Sequence, residues 1–140
     1  MLDDIVIGAV TSAGTITIHA LTMALVIRAS RLASSKTKLG PTVLLISTMI
    51  AAVLVLMAAH TVEVIVWAFA YFVTNAAPVG TDRVYFAFVN YTTLGYGDVI
   101  PVKNRQLLGP ITAMNGILLF GWSTAVIFEV LRQALIRDGD

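Results

Sequence analysis

Long apolar stretches alternate with short polar segments along this chain of 140 residues. Three apolar stretches stand out, at about residues 4–28, 42–73 and 111–130. A helix rises ~1.5 Å per residue, so each stretch is long enough to cross a hydrocarbon layer of ~30 Å with some tilt. The pattern therefore predicts an all-α integral membrane protein with three transmembrane helices.

The second apolar stretch, residues 42–73, is long for one span and short for two spans joined by a turn. Its 32 residues would form a helix of ~48 Å. His60 and Glu63 are its only acidic or basic side chains, and no Gly, Pro or Asn interrupts it. We therefore predict one long, tilted helix here rather than two segments.

Composition supports the membrane assignment and narrows the function. Charged residues make up 12% of the chain, whereas a soluble domain carries roughly 25%. The chain has no cysteine, which excludes disulfides and thiolate metal sites, and its net charge of +1 gives no reason to expect a nucleic-acid partner. No nucleophile–base pair, phosphate-binding loop or cluster of metal ligands is evident, so we expect neither enzyme activity nor a cofactor.

Basic residues indicate how the helices are oriented. The segment 31–40 lies between the first two spans and contains Arg31, Lys36 and Lys38 but no acid. Because basic loops stay on the cytoplasmic side, we expect this loop inside the cell and the N-terminus of the first helix (residues 1–30) outside. The tail, residues 132–140, is then cytoplasmic, and the protein is a multi-pass protein of the plasma or inner membrane.

The region between the second and third spans contains an apolar run that is too short to cross a membrane. Residues 75–82 are rich in turn-forming residues, residues 83–93 are apolar and aromatic, and residues 91–98 read YTTLGYGD. This order predicts a segment that enters and leaves on the same side. Non-helical backbone at membrane depth is tolerated only when it is buried in protein or lines a water-filled path. We therefore expect residues 93–98 to line such a path.

Gly95 and Gly97 alternate with bulky residues in this segment. Successive carbonyls of an extended chain of L-residues point to opposite sides, and turning them to one side requires unusual dihedrals at alternate residues. Glycine adopts a positive φ without a steric cost. The alternation therefore predicts a backbone whose carbonyls face one axis, with Leu94 and Tyr96 directed towards a surrounding wall.

The hexapeptide TLGYGD at residues 93–98 resembles the selectivity filter of potassium channels, in which rings of backbone carbonyls replace the hydration shell of K⁺. The likeness is greatest to small prokaryotic ion channels, with residues 1–30 as an added helix. It implies a homotetramer in the lipid bilayer. The implied pore domain, residues 41–131, has an outer helix (41–74), a pore helix (83–93), the filter (93–98) and an inner helix (106–131). The implied K⁺ ligands are the carbonyls of Thr93, Leu94, Gly95, Tyr96 and Gly97, with Asp98 at the filter exit.

Four positions depart from residues that are common in this family. Leu94 stands where valine or isoleucine is usual, and Val89 occupies a pore-helix position that is an acid in some members. Tyr85 and Phe86 stand where some members carry tryptophans that brace the filter aspartate. We therefore expect the packing around the filter to differ from the family's usual pattern.

Positions on the last helix allow more than one interpretation. Ile117, Phe120 and Thr124 lie on one helical face, which either lines the cavity, as the resemblance implies, or packs against another helix. Gly116 falls at the family's usual hinge. Glu129 would form a ring that concentrates cations, or it belongs to a solvated helix end, which we favour.

Ionisable residues within the spans are the remaining candidates. An ionisable residue in a membrane is costly and is often functional. Glu63 would brace the filter from behind in place of the missing acid, and His60 would titrate and gate the pore. The alternative, narrowly favoured, is a self-contained i, i+3 pair. We expect His19 to be a packing residue, and Asn115 faces either the cavity or a neighbouring helix.

The sequence thus predicts passive, K⁺-selective conduction, with K⁺ ions in the filter and no other cofactor. Two alternatives stay open, namely a weakly selective cation channel and a non-conducting accessory membrane subunit that keeps the filter as a scaffold. The first span has no repeated arginines, so it is not expected to be a voltage sensor.

Overall fold

The computed structural model describes residues 1–36 and 40–137, and every regular element in this part of the chain is helical. Three of the helices are long and apolar enough to cross a membrane. The helices are α1 (Leu2–Lys36), α2 (Pro41–Thr74), α3 (Arg83–Tyr91) and α4 (Leu108–Arg137), with a short 3₁₀ turn at Lys103–Arg105 before α4.

Helix α2 is a single helix that continues without a break past His60. It begins at Pro41, where the missing amide hydrogen costs no helical bond. It ends because Asn75 adopts a left-handed conformation with φ of 50°, and the Asn75 amide donates to the carbonyl of Phe72 at 3.3 Å. The helix breakers at its two ends, rather than any residue within it, therefore set its length.

Four helix ends differ from the sequence-based prediction. Helix α1 continues through Lys36 into the expected loop 31–40, and α4 starts at Leu108 and continues to Arg137, beyond the expected end at residue 131. Alanine, leucine, arginine, lysine and glutamine all favour helix, so these polar ends continue as helix. Helix α3 ends at Tyr91, two residues earlier than expected, because Thr93 has a positive φ. Residues 37–39 of the loop and 138–140 of the tail lie outside the described residues.

Helix α1 packs against both α2 and α4, and α3 packs against the same two helices. The core has two clusters of buried side chains. The cluster beside α3 consists of Val64, Trp67, Ala68, Tyr71, Ala76, Phe86, Ala87, Tyr91 and Leu108. The cluster at the opposite end consists of Met23, Val26, Ala52, Leu56, Val126 and Val130.

Polar contacts fix the end of the bundle that carries α3. Arg105, in the loop before α4, donates to the buried carboxylate of Asp4 near the start of α1 at 2.7 Å. The amide of Val102 donates to the carbonyl of Ala76, just after α2, at 3.0 Å. The start of α1, the end of α2 and the start of α4 therefore lie at the same end, so the three long helices alternate in direction.

Candidate ion pathway

Helix α3 is a short, well-capped helix whose C-terminus leads into residues 93–98. The Asp82 side chain accepts hydrogen bonds from the amides of Val84 at 2.8 Å and Tyr85 at 3.2 Å, which satisfies two of the free donors at the helix start. One face of this helix is packed against the rest of the chain, through Phe86, Ala87, Val89 and Tyr91. The burial of this face fixes the direction in which the following segment leaves the helix.

The filter segment, residues 93–98, is fastened to the end of α3 by backbone hydrogen bonds. The Thr93 amide donates to the carbonyl of Asn90 at 3.1 Å, and the Leu94 amide donates to the carbonyl of Val89 at 3.0 Å. These bonds close the last turn of the helix while the chain changes direction. The start of the filter segment is thus positioned by main-chain atoms of α3.

Positive φ angles occur at every second residue of the filter segment. They are 59° at Thr93, 56° at Gly95 and 78° at Gly97. Glycine tolerates this conformation without a steric cost, whereas Thr93 is a β-branched residue for which it is unusual. The left-handed conformation at alternate residues is the backbone geometry that a carbonyl-lined path requires. The assignment of residues 93–97 as K⁺ ligands stays a prediction.

Side chains of the filter segment are not packed by the chain that carries them. Tyr96 is 70% exposed and Leu94 is 52% exposed in the single chain. More than half of the surface of each of these two side chains is therefore left uncovered by the chain's own residues.

Tyr85, at the start of α3, holds the aspartate at the end of the filter segment. Its hydroxyl donates to the Asp98 carboxylate at 2.7 Å. This hydrogen bond raises the pKa of the Tyr85 hydroxyl above its ordinary value, because losing the proton would place two negative groups side by side. The start of α3 and Asp98 are thus tied together within one chain.

Behind α3 lies a buried polar network centred on Glu63. Both Glu63 and His19 are fully buried, and the His19 Nδ1 atom lies 2.8 Å from Glu63 Oε1. The His60 Nδ1 atom lies 3.0 Å from Glu63 Oε2. Tyr91, the last residue of α3, donates a short hydrogen bond to the same carboxylate oxygen. The carboxylate therefore connects three helices, α1, α2 and α3.

Ser123 on α4 completes this network on the opposite side of the two imidazole rings. Its Oγ atom lies 2.9 Å from His60 Nε2 and 3.3 Å from His19 Nε2. We call the five side chains of His19, His60, Glu63, Tyr91 and Ser123 the Glu63 network.

The Glu63 network corrects three expectations. The pair of His60 and Glu63 is formed, but it is not self-contained, because its partners come from three other helices. His19 is not a simple packing residue, since its ring binds the buried carboxylate. A cluster of metal-ligand types is also present, as His19, His60 and Glu63 place one ligand atom each within 4.8 Å of one another. The sequence did not indicate this cluster, because His19 and Glu63 are 44 residues apart and lie on different helices.

Gly116 on α4 lies against the end of α3. A methyl group added at Gly116 would overlap the carbonyl oxygen of Tyr91. Only a residue without a side chain permits this close approach of the two backbones. The structure therefore gives Gly116 a packing role, and its role as a hinge stays a prediction.

The other residues that the sequence singles out on α4 fall on two different faces. Ile117 and Thr124 are exposed, whereas Phe120 is 37% exposed and its ring lies 4.5 Å from the His60 ring and 5.4 Å from the Tyr91 ring. Their assignment as cavity lining stays a prediction. Asn115 faces inward, where its Oδ1 atom accepts hydrogen bonds from Thr15 Oγ1 and Trp67 Nε1, both at 3.0 Å.

Glu129, near the C-terminal end of α4, carries a charge that is already paired. Arg132 donates to both of its carboxylate oxygens at 2.8 Å. A bidentate arginine neutralises the carboxylate locally, so a ring of these residues would present little net negative charge. This pairing favours the helix-end interpretation over a cation-concentrating ring.

A comparison with known families gives this geometry its context. A family model described as an ion channel matches residues 59–133, which is more than half of the chain. The chain belongs to this ion-channel family. No curated protein and no solved structure matches the chain.

The matched region coincides with the elements that surround the filter segment. It contains the second half of α2, all of α3, the filter segment and most of α4. This ion-channel domain supports passive ion conduction across a membrane, and the family is not generally enzymatic. Helix α1, which contributes His19 to the Glu63 network, lies outside the match.

Proposed function

We propose that this channel is selective for K⁺ and conducts it through a carbonyl-lined filter formed by residues 93–98. The observation that carries the proposal is the positive φ at Thr93, Gly95 and Gly97, within the sequence TLGYGD. This backbone directs successive carbonyls to one side, where they replace the water that a K⁺ ion gives up. The hydroxyl of Thr93 adds a further oxygen at the inner end.

A homotetramer follows from the number of filter segments that one chain supplies. One chain contributes one segment, whereas a coordinating ring around K⁺ needs several copies related by cyclic symmetry, and potassium channels use four loops. The exposure of Leu94 and Tyr96 supports this assembly, because neighbouring copies would cover these side chains. The exposed α4 face with Ile117 and Phe120 would then line the shared cavity.

Helix α3 adds an electrostatic contribution to this proposal. The C-terminal end of a helix carries roughly half a negative charge. This end lies next to Thr93, where the filter segment begins. A ring of such helix ends would favour a cation over an anion below the filter, whatever the fine selectivity among cations.

A flux assay in proteoliposomes tests the proposal. Vesicles loaded with K⁺ are diluted into a medium whose only cation, N-methyl-D-glucamine, is too large to permeate. Only vesicles that contain the channel should develop an interior-negative potential and take up a cationic dye. Replacing internal K⁺ by Na⁺ should abolish the signal, and Ba²⁺ should block it. Equal signals with K⁺ and Na⁺ would indicate a weakly selective cation channel. No signal, although valinomycin added afterwards produces one, would favour a non-conducting accessory subunit.

A further inference from the structure

We propose that His19, His60 and Glu63 form a binding site for a divalent first-row transition metal of the Zn²⁺ type. The two imidazole Nδ1 atoms and the Glu63 carboxylate place one ligand atom each within 4.8 Å of one another. Two histidines and one glutamate are a ligand set that zinc uses in proteins. The site joins α1 to α2 next to Tyr91, at the end of α3.

The number of hydrogens in the Glu63 network is the first argument for a cation. Six contacts link the network. One joins His60 Nδ1 to the Tyr91 hydroxyl, and the remaining five are three at the carboxylate and two at Ser123. With Glu63 ionised and both histidines neutral, the four partner side chains supply four hydrogens in total. This is one fewer than the five contacts at the carboxylate and at Ser123 need. One pair of electron-rich atoms is therefore left facing each other without a positive charge between them.

The orientation of the two imidazole rings indicates where that cation belongs. Both rings direct Nε2 to the hydroxyl of Ser123 and Nδ1 to the carboxylate of Glu63. If each ring carries its hydrogen on Nε2, both N–H groups donate to the single Ser123 oxygen. Both Nδ1 lone pairs are then free and point at the carboxylate. Metal-bound histidines are held in this manner, with the second nitrogen fixed by a hydrogen bond.

Distances within the cluster are close to those of a coordinated ion. The Nδ1 atoms lie 2.8 and 3.0 Å from the two carboxylate oxygens. Two ligands at ~2.0–2.1 Å from a tetrahedral zinc lie about 3.3 Å apart. The two nitrogen–oxygen pairs would therefore move apart by a few tenths of an ångström, and any longer separation, up to the 4.8 Å that bounds the cluster, would shorten. The Tyr91 hydroxyl lies beside the cluster, 2.9 Å from His60 Nδ1, and donates to the Glu63 carboxylate.

Charge is the second argument for a metal ion. Glu63 is fully buried within a membrane span, and the ion pairs that the described residues form with it involve histidines alone. The other buried acid, Asp4, has Arg105 as a permanent positive partner. A buried carboxylate without a permanent cation is costly. A divalent ion would supply this charge and leave Tyr91 as a hydrogen-bond donor to Glu63.

The site gives α1 a role that the family match does not include. His19 is the ligand from α1, so the metal would fasten this helix to α2. Tyr91 connects the site to the end of α3. The His60 side chain is 13% exposed whereas those of His19 and Glu63 are fully buried, so the ion would enter from the His60 side.

Cobalt spectroscopy on the full chain tests the proposal without reference to conduction. The protein is purified in detergent with a tag that contains no histidine, treated with a chelator and titrated with Co²⁺. We expect an intense visible absorption of a four- or five-coordinate ion that saturates at one Co²⁺ per chain and is displaced by Zn²⁺. His19→Gln and Glu63→Gln should abolish it, and Ser123→Ala should weaken binding about 10–100-fold. Glu129→Gln, which alters an acid outside the cluster, should bind as the wild type does.

Thermal unfolding separates loss of the site from loss of the fold. Zn²⁺ should raise the unfolding temperature of the wild type and of Glu129→Gln but not that of Glu63→Gln, which retains the shape of the side chain. The proposal is overturned if Co²⁺ gives the weak spectrum of a hydrated ion and Zn²⁺ leaves the wild-type unfolding temperature unchanged. In that case an additional proton, rather than a metal, completes the network.

Discussion

The hydroxyl of Tyr91, the last residue of α3, donates a hydrogen bond to the buried carboxylate of Glu63 on α2. Val89, where some potassium channels carry an acid behind the filter, cannot provide this support. Glu63 reaches the pore helix from the neighbouring span instead. We therefore expect the position of the pore helix to depend on an acid that lies outside the re-entrant region.

Replacing Tyr91 by phenylalanine tests this dependence. Tyr91→Phe removes a hydrogen bond to a charged acceptor, for which we expect a loss of about 1.5–3 kcal/mol in the free energy of unfolding. Tyr71→Phe is the matched control, because it removes a buried hydroxyl that bonds the neutral Thr112 and should cost only about 0.5–1.5 kcal/mol. Unfolding in detergent measures both. Equal losses in the free energy of unfolding for the two variants would mean that the hydrogen bond to the charged Glu63 is no stronger than the one to the neutral Thr112.

Gly95 and Gly97 should be indispensable for K⁺ current. Alanine at either position would have to adopt a left-handed conformation, at a cost of roughly 1–2 kcal/mol, or turn a carbonyl away from the axis. Gly80→Ala is the control, because Gly80 also has a positive φ, of 85°, but lies in the turn before α3. We expect Gly80→Ala to conduct with a similar loss of stability. Normal K⁺ flux through Gly95→Ala and Gly97→Ala would exclude residues 93–98 as the filter.

Gly116 and Gly121 on α4 should respond differently to alanine. A methyl group at Gly116 would overlap the Tyr91 carbonyl, whereas one at Gly121 would enter open space in the single chain. We expect Gly116→Ala to lower the unfolding temperature. Gly121→Ala should leave it unchanged or raise it, because alanine favours helix over glycine by up to ~1 kcal/mol in free energy. If Gly116→Ala loses current at an unchanged unfolding temperature, Gly116 acts as a hinge rather than as a packing residue.

The hydrogen bond between Tyr85 and Asp98 predicts a pH dependence at the filter exit. The pKa of Tyr85 is raised because its hydroxyl donates to the carboxylate. A group with a raised pKa stabilises the folded state below its ordinary pKa of ~10 and loses this contribution as the pH rises through the raised value. NMR titration of ring-labelled tyrosine should therefore show Tyr85 ionising at a lower pH in Asp98→Asn than in the wild type. An unchanged titration would mean that the two side chains are not bonded in the assembled channel.

The sequence was sufficient to predict the membrane-spanning elements, because long apolar stretches and helix breakers mark them directly. Pro41 and the turn after residue 74 bound α2 in the structure. The alternation of Gly95 and Gly97 likewise predicted an unusual backbone, since few other residues tolerate positive φ.

The Glu63 network could not be predicted in the same way. His19 and Glu63 meet only because α1 packs between α2 and α4, and no local pattern encodes this packing. The one feature of the sequence that pointed to the Glu63 network was the presence of ionisable side chains in apolar spans, where they are costly. Three ionisable residues within predicted spans, with no lysine or arginine beside them in the sequence, suggest that they satisfy one another.

The reversal potential of the purified channel in a planar lipid bilayer tests the central claim most directly. K⁺ is placed on one side and Na⁺ on the other, and Ba²⁺ is then added. A K⁺-selective filter predicts a reversal potential displaced far from zero in the direction that K⁺ equilibrium requires, and block of the current by Ba²⁺. A current that reverses near zero would contradict selective coordination by residues 93–97.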